Sequence, residues 1–545
     1  MGMSISCVVA ILVIWGIITG IDNYSIKSLL GIMPLITGFF VGLLLGNIAL
    51  GAYIGAYIQL LSLGLIEIGG AVPPDFAIVA AITAAVFIYG GLDLSMLPLV
   101  VLSLIPAGIV MMYLEILART INVSLIRKAE SLIDMGQIDS VGRLHFLGLL
   151  PLAGFRGALY GISAYIVLKW GIDVLKSVLE TLPVWFLRSL SVAGAVLPAL
   201  GLGILLSYIG VARRYHLLLI PFLIVSLIVI IDITVVFTIL IVIASVVAWV
   251  RLRKYAKGSV SSLGEGKGRL DRSLLRKIAI RSGFFLECSW NYERMQALGY
   301  LFSILPALKR IYKDEEELKK AARVHLEFFN TNPFLAPILV GVNVAIEESS
   351  PRNFELVRSL KTGLMGAFAG IGDSLIFFVI GGILLIMGST LSLMSLERPL
   401  YALAPLIILI VFDAIFIPFR VIGSEFGYKR GMRITESFSG EKIQSLREIF
   451  EWLSIVSIGA TIPFITAIRV VPLATFLARI EAKLAIISIN QFLGASIMLI
   501  LTLLMKNLYG KGYGPTRLFL LLFAIGFILG TIGLVGTIGQ VAVST

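Results

Sequence analysis

Apolar runs about as long as a bilayer is thick recur along this chain, and that feature restricts it to folds that lipid can surround. A helix needs roughly 20 consecutive apolar residues to cross the hydrocarbon core, and long apolar runs occupy residues 4–20, 97–114, 217–250, 403–418 and 518–541. Charged residues make up only 14% of the chain and its mean hydropathy is +1.01, where a soluble protein carries about 25% charge. No hydrated fold shields so much apolar surface. The sequence therefore reads as an all-α polytopic membrane protein. Its 545 residues are enough for more than one domain.

The net charge of +12 does not indicate nucleic acid, because of where the charge lies. Ten basic residues fall between Arg251 and Arg281, and basic residues beside membrane helices mark the cytoplasmic side. Within that stretch, KGSVSSLGEGKGRLDR (residues 257–272) has the Gly, Ser and charge content of a flexible linker. It divides the chain into a membrane module over residues 1–255, a linker over 256–272 and a second module over 273–545. The apolar segment at 4–20 has no basic residues before it and reads as a first helix or signal anchor. Cys7 and Cys288 lie too far apart to suggest a disulfide framework or a metal site.

The two modules differ in texture. The first is nearly all apolar, with a polar interruption at 119–143 that reads as an interfacial amphipathic helix and a shorter one at 171–181. The second opens with charged, amphipathic helices over 273–350, placed at the cytoplasmic side. Membrane segments follow at about 360–390, 398–420, 451–471, 482–505 and 516–541, with a polar loop at 424–451. The expected architecture is two helical-bundle halves with broken or re-entrant segments and interfacial amphipathic helices.

Four stretches stand out. In GAYIGAYIQLLSLGLIEIGGAVPPDFAIVA (residues 51–80), Gln59, Glu67 and Asp75 lie on Gly-rich apolar sequence. Ionisable groups at membrane depth survive where they are buried in protein or line a wet cavity, and carboxylates and amides suit a polyhydroxylated ligand. Two rival readings stand: Glu67 and Asp75 face the headgroup boundary, or Asp75, after Pro73 and Pro74, simply caps the next helix. In FFLECSWNYERMQALGY (residues 284–300), Trp290, Asn291, Glu293 and Gln296 form a polar–aromatic cluster, read equally as a ligand surface or an interfacial belt. In VHLEFFNTNPFLAP (residues 324–337), Asn330 and Asn332 lie at a sharp helix stop, and His325, one of three histidines, reads as a packed residue. GLMGAFAGIGD (residues 363–373) suits close helix packing or an unwound segment ending at Asp373. No Walker motif, nucleophile elbow or His/Cys metal cluster is present, so neither a metal nor a cofactor is expected. Arg119, Arg127 and Lys128 are too dispersed to suggest a lipid-modifying enzyme.

The stretches FFLECSWNYERMQALGYLFSILPALKRIY, HLEFFNTNPFLAPILVGVNVAIEE and KTGLMGAFAGIGD closely resemble the IID component of mannose-family (mannose/fructose/sorbose) sugar phosphotransferase systems. The stretch ending in IGGAVPPD resembles the IIC signature more loosely. The resemblance implies IIC and IID fused in one plasma-membrane permease for a hexose or amino sugar. It implies an elevator-like movement, a soluble phosphorylated IIB partner supplied by IIA, and a homo-oligomer, a trimer of IIC–IID units. It implies no phosphorylated residue in this chain. It places Gln59, Glu67 and Asp75 on the sugar-site stretch and Trp290, Asn291, Glu293, Gln296, Asn330, Asn332 and Asp373 on IID motif positions. Asp75 and Glu67 would accept from sugar hydroxyls, Gln59 would orient the ring, and Asp373 and Glu293 would complete or gate the site. Mannose-type members carry Glu and Asn where this chain has Gln59 and Glu67, and a Pro where it has Ser374, which leaves the sugar open. The alternative is a facilitator or ion-coupled carrier on the same fold. The charged stretch 309–323 reads either as a docking face for IIB or as a solvated helix.

Overall fold

Capping and breaking residues divide the long apolar pattern into helices of very unequal length. The computed structural model describes residues 3–28, 33–65, 72–209, 214–227, 270–431, 441–466, 468–470 and 483–537. Glu67 and all but the last three residues of the 256–272 linker lie outside them. The first half comprises α1 (Ile5–Tyr24), α2 (Pro34–Leu44), α3 (Ile48–Ser62), α4 (Phe76–Gly90), α5 (Leu97–Ile121), α6 (Val123–Asp134), α7 (Ser140–Leu147), α8 (Leu149–Ile166), α9 (Ile172–Thr181), α10 (Val184–Val196), α11 (Pro198–Ile209) and α12 (Tyr215–Leu227). The second begins with α13 (Arg272–Phe284), α14 (Ala297–Ile311), α15 (Glu315–His325), α16 (Ala336–Ser349) and α17 (Phe354–Gly372). A π-helical segment, Asp373–Gly381, joins α17 to α18 (Gly382–Ser392). It is followed by α19 (Ala404–Arg430), α20 (Glu441–Ile465), α21 (Lys483–Gly510) and α22 (Pro515–Thr531). A short antiparallel ribbon, β1 (Ile468–Val470) with β2 (Val535–Thr537), completes the described elements.

Among the described residues, seven helical stretches are long and apolar enough to cross a membrane. Three buried helices of the first half are not. α2, α3 and α4 have 11, 15 and 15 residues, so at about 1.5 Å per residue they fall short of a roughly 30 Å core. They form the broken, re-entrant element expected of the first half. Their exposed ends are closed locally: Asn47 Oδ1 caps α3 by accepting from Leu50 N at 3.1 Å, and Gly91 closes α4 in the left-handed conformation.

Glycine sets how closely these helices approach. Gly38 and Gly42 of α2 face Gly51 and Gly55 of α3, and a Cβ on Gly51 would lie 2.4 Å from Gly38 O and 2.5 Å from Gly42 Cα. Lipid gives apolar side chains no reason to leave it, so association inside a bilayer relies on close packing of this kind. The same device joins the two halves. Gly526 and Gly530 of α22 lie against Ala193 and Ser189 of α10, Gly203 of α11 against Thr502 of α21, and Gly459 of α20 against Leu218 of α12. The halves are sequential in the chain and interleaved in space.

The amphipathic expectations hold at α6, which buries Ile126, Ala129 and Ile133, and at α15, which buries Ala321, Ala322, Val324 and His325. The charged stretch 309–323 turns part of its charge onto the first half: Lys309 pairs with Asp139 and Arg323 with Asp134. α16 differs from the amphipathic pattern and is buried along almost its whole length. Around it, α19 runs on to Arg430, well past the polar boundary expected at 424, because Gly423, Ser424 and Gly427 pack on α16. Ser424 Oγ donates to Pro337 O at 2.9 Å. His325 is fully buried, with Nε2 2.7 Å from Glu347 Oε1.

The glycine-rich stretch 363–373 splits in its use. Gly372 packs on Asn332, whereas Gly363 and Gly366 face open space. Gly51→Leu should therefore cost about 1–3 kcal/mol through overpacking, and Gly154→Ala on α8, where an added Cβ would meet nothing within 4 Å, should cost nothing. Thermal denaturation in detergent distinguishes the two, and equal melting points would refute the close approach of α2 and α3.

Candidate sugar site and the seam between the halves

Buried charge collects where the short helices end. Asp75 is the N-cap of α4: Oδ1 accepts from Ala77 N at 2.8 Å and Ile78 N at 3.2 Å. Its other oxygen lies 2.7 Å from Arg156 Nη2 on α8, and the two side chains are 8% and 3% exposed. Capping and charge pairing thus share one carboxylate. Glu115 and Arg119, one turn apart on α5, form a second buried pair at 2.5 Å. Tyr24 OH donates to Glu115 and accepts from Arg119 Nε at 2.9 Å.

These groups border two cavities. The first is lined by Gln59, Ser62, Pro73, Pro74, Asp75, Glu115 and Arg156, among others, and has a volume of about 40 Å³. That holds a few waters, and a hexose fits only if its walls separate. Gln59, on α3, is 2% exposed and accepts from Leu35 N at 3.3 Å, tying α3 to α2. The second cavity, about 140 Å³, lies on the seam and takes Tyr24, Lys27 and Arg119 from the first half and Glu287, Trp290, Gln296, Asn330, Thr331 and Asp373 from the second. Glu115, Arg119 and Tyr24 form a polar partition linking the two chambers.

The IID motif residues divide by role. Asn291 folds a tight turn, its Oδ1 accepting from Glu293 N at 3.1 Å and Arg294 N at 3.0 Å. Gln296 clips the two motifs together: Nε2 donates to Glu287 Oε1 at 2.9 Å and Thr331 O at 2.8 Å, and Oε1 accepts from Thr331 N at 2.9 Å. Trp290 lies under the Arg119 guanidinium, 4.5 Å from ring centroid to Cζ. Asn332 Nδ2 donates to Asp373 Oδ1 at 2.9 Å and so positions it. Glu293 departs from the expected set. It lines a separate outer groove with Glu130, Arg294, Arg323 and Phe328. Its side chain is 40% exposed and 3.9 Å from Arg294 Nε. An acid two residues from Asn291 is carried outward by the turn that Asn291 makes.

Sequence reasoning missed Glu115, Arg119, Arg156, Tyr24, Lys27 and Glu287. A signal existed for three of them, since Glu115, Arg119 and Arg156 are isolated charges within apolar helix, the criterion that singled out Glu67 and Asp75. Lys27 had none. It pairs with Glu287 across the seam from a left-handed backbone (φ 51°). Arg420 of α19 holds that turn by donating to Ile26 O and, at 3.2 Å, to Lys27 O.

Residues 269–535 match the PTS system mannose/fructose/sorbose family IID component, and residues 7–250 the PTS system sorbose-specific IIC component. The mannose-specific EIID component of Escherichia coli (strain K12) is 31% identical over 277 residues, covering 49% of this chain and 96% of that protein. The fructose permease IID component of Bacillus subtilis (strain 168) is 30% identical, covering 48% of this chain and 97% of that protein. The sorbose-specific EIIC component of Klebsiella pneumoniae is 30% identical over 179 residues, covering 33% of this chain and 65% of that protein. The chain belongs to the mannose/fructose/sorbose family of sugar phosphotransferase systems and carries the IIC and IID components of a multi-pass plasma-membrane permease in one polypeptide.

Proposed function

We propose that the permease carries a hexose or amino sugar through the chamber bordered by Gln59, Asp75, Glu115 and Arg156, and that a soluble IIB partner charged by IIA phosphorylates the sugar on the cytoplasmic side. In this reading residues 1–255 are the IIC module, 273–545 the IID module, and 256–272 their linker. The observation that carries it is the convergence of an amide, two carboxylates and a guanidinium on one buried chamber between short helices. Asp75 accepts hydrogen bonds from sugar hydroxyls, Gln59 both accepts and donates them, and Arg156 pairs with the Asp75 carboxylate among apolar neighbours. Entry requires the α2–α4 element to move relative to α5 and α8, which fits an elevator-like displacement. Trp290 and Asp373 act from the seam cavity, with the Glu115–Arg119–Tyr24 partition between the two chambers. On arrival the N–P bond of phosphohistidine breaks as the sugar O–P bond forms, and the hydroxyl proton replaces the phosphoryl group on imidazole.

The assembly in this reading is a homo-oligomer, a trimer by family resemblance. It is supported by the exposed Thr362, Gly363, Gly366 and Ala367 on one side of α17, a surface that lets another helix approach closely.

Vesicles loaded with phosphorylated IIB and offered labelled hexoses and amino sugars test the main proposal. Sugar phosphate should accumulate inside. Equal uptake of free sugar without IIB would instead identify a facilitator. Gln59→Ala should weaken the apparent affinity roughly three- to tenfold, the worth of one hydrogen bond. Asp75→Asn keeps a good cap and removes the charge partner of Arg156. It should abolish uptake of every sugar, and unchanged uptake would remove Asp75 from the site. Tyr24→Phe takes one hydroxyl from the partition and should lower the maximal rate about tenfold with the apparent affinity kept. Glu293→Gln should leave both unchanged.

A further inference from the structure

The helix that leads out of the linker has two distinct faces. Leu275, Ile278, Ala279 and Ser282 of α13 are buried, while Arg272, Arg276, Lys277 and Ile280 face outward. This outer face forms one wall of an open cleft of about 690 Å³ that also includes Arg281. The opposite wall is aromatic. Phe146, from α7 of the first half, meets Phe285 and Phe302 of the second, with ring centroids 5.4 Å apart in each pair. The cleft therefore lies on the seam, and among the described residues neither Asp nor Glu lines it.

Two of its four cations are partly committed. Arg272 pairs with Glu425 at 2.8 Å. Arg281 donates to Phe302 O at 2.9 Å and lies 4.3 Å from that ring. Arg276 and Lys277 are exposed and have no carboxylate partner among the described residues. Beside them, Phe146, Leu147 and Leu150 are 39%, 49% and 67% exposed, at the start of the membrane-length stretch Ser140–Ser177. Unpaired cations bordering lipid-facing apolar surface match a phosphate headgroup with its acyl chains alongside. The preceding linker is a poor occupant, since its Lys257, Lys267 and Arg269 outnumber Glu265 and leave it with a net positive charge.

We propose that this cleft binds an anionic phospholipid of the cytoplasmic leaflet, its phosphate on Arg276 and Lys277 and its chains against Phe146, Leu147 and Leu150. Bound there, one lipid touches both halves of the fused chain and bridges their seam. A basic surface next to a membrane is worth about fivefold in affinity per Lys or Arg, so neutralising two should cost about thirtyfold.

The full chain, purified in phosphatidylcholine-containing micelles, is titrated with phosphatidylglycerol while melting temperature and lipids retained in native mass spectrometry are read. The comparison is Arg276→Gln/Lys277→Gln, whose side chains are exposed and whose removal leaves the packing of α13 intact. Phosphatidylglycerol should be retained and should raise the melting temperature of the natural chain. The double variant should need about thirtyfold more, and added salt should narrow the gap. Equal retention by the variant overturns the proposal. So does equal protection by phosphatidylcholine or by inorganic phosphate, since the first means an unselective lipid surface and the second a free-anion site. A variant with full lipid affinity that no longer accepts phosphoryl transfer from IIB would assign the face to a protein partner and also overturn it.

Discussion

A guanidinium inside an apolar bundle must be paired before the bundle can close, and much of this structure follows from how that is done. Removing one partner of such a buried pair typically costs 3–5 kcal/mol. Each pair here also joins two elements, directly or through a third side chain. Asp75 and Arg156 tie the start of α4 to α8, and Tyr24 ties α1 to the Glu115–Arg119 pair of α5. Arg119 then reaches Trp290, and Lys27 reaches Glu287, so the same charges join the IIC part to the IID part. The residues that make the chamber polar are therefore also the ones that hold its walls in register. A polar chamber in this setting has few positions free to vary.

Glycine supplies what the charges cannot. Paired charges fix which elements meet, but they do not bring backbones within van der Waals distance. At the α2–α3 crossing that closeness comes from four glycines, and at α19–α16 from Gly423, Ser424 and Gly427. Helices too short to span the bilayer can remain at depth because their backbones have neighbours at this distance.

Membrane class, helix content and the family itself were legible in the sequence because each is carried by local pattern: apolar run length and dense motifs. The Asp75 cap was legible for the same reason, since Pro73-Pro74-Asp is a local signal. What was not legible depends on pairing over distance. Nothing near Lys27 announces Glu287, 260 residues away, and nothing near Asp75 announces Arg156. Asn291 and Glu293 looked alike as polar residues in one motif, yet one folds the turn and the other is turned outward by it. The polar stretch after 424 has the composition of a loop, and only the packing of Gly423, Ser424 and Gly427 on α16 keeps it helical.

The interleaving of the last helices of each half has a consequence for biogenesis. α10, α11 and α12 find their partners in α20, α21 and α22, which leave the ribosome some 200 or more residues later. Until then the surfaces around Ser189, Ala193 and Gly203 have only lipid for company. The IIC part therefore cannot reach its final packing as a finished unit, and its maturation waits on translation of the rest. Joining both parts in a single message removes the search for a separately made partner during that interval. It ties the supply of one component to the other, one for one.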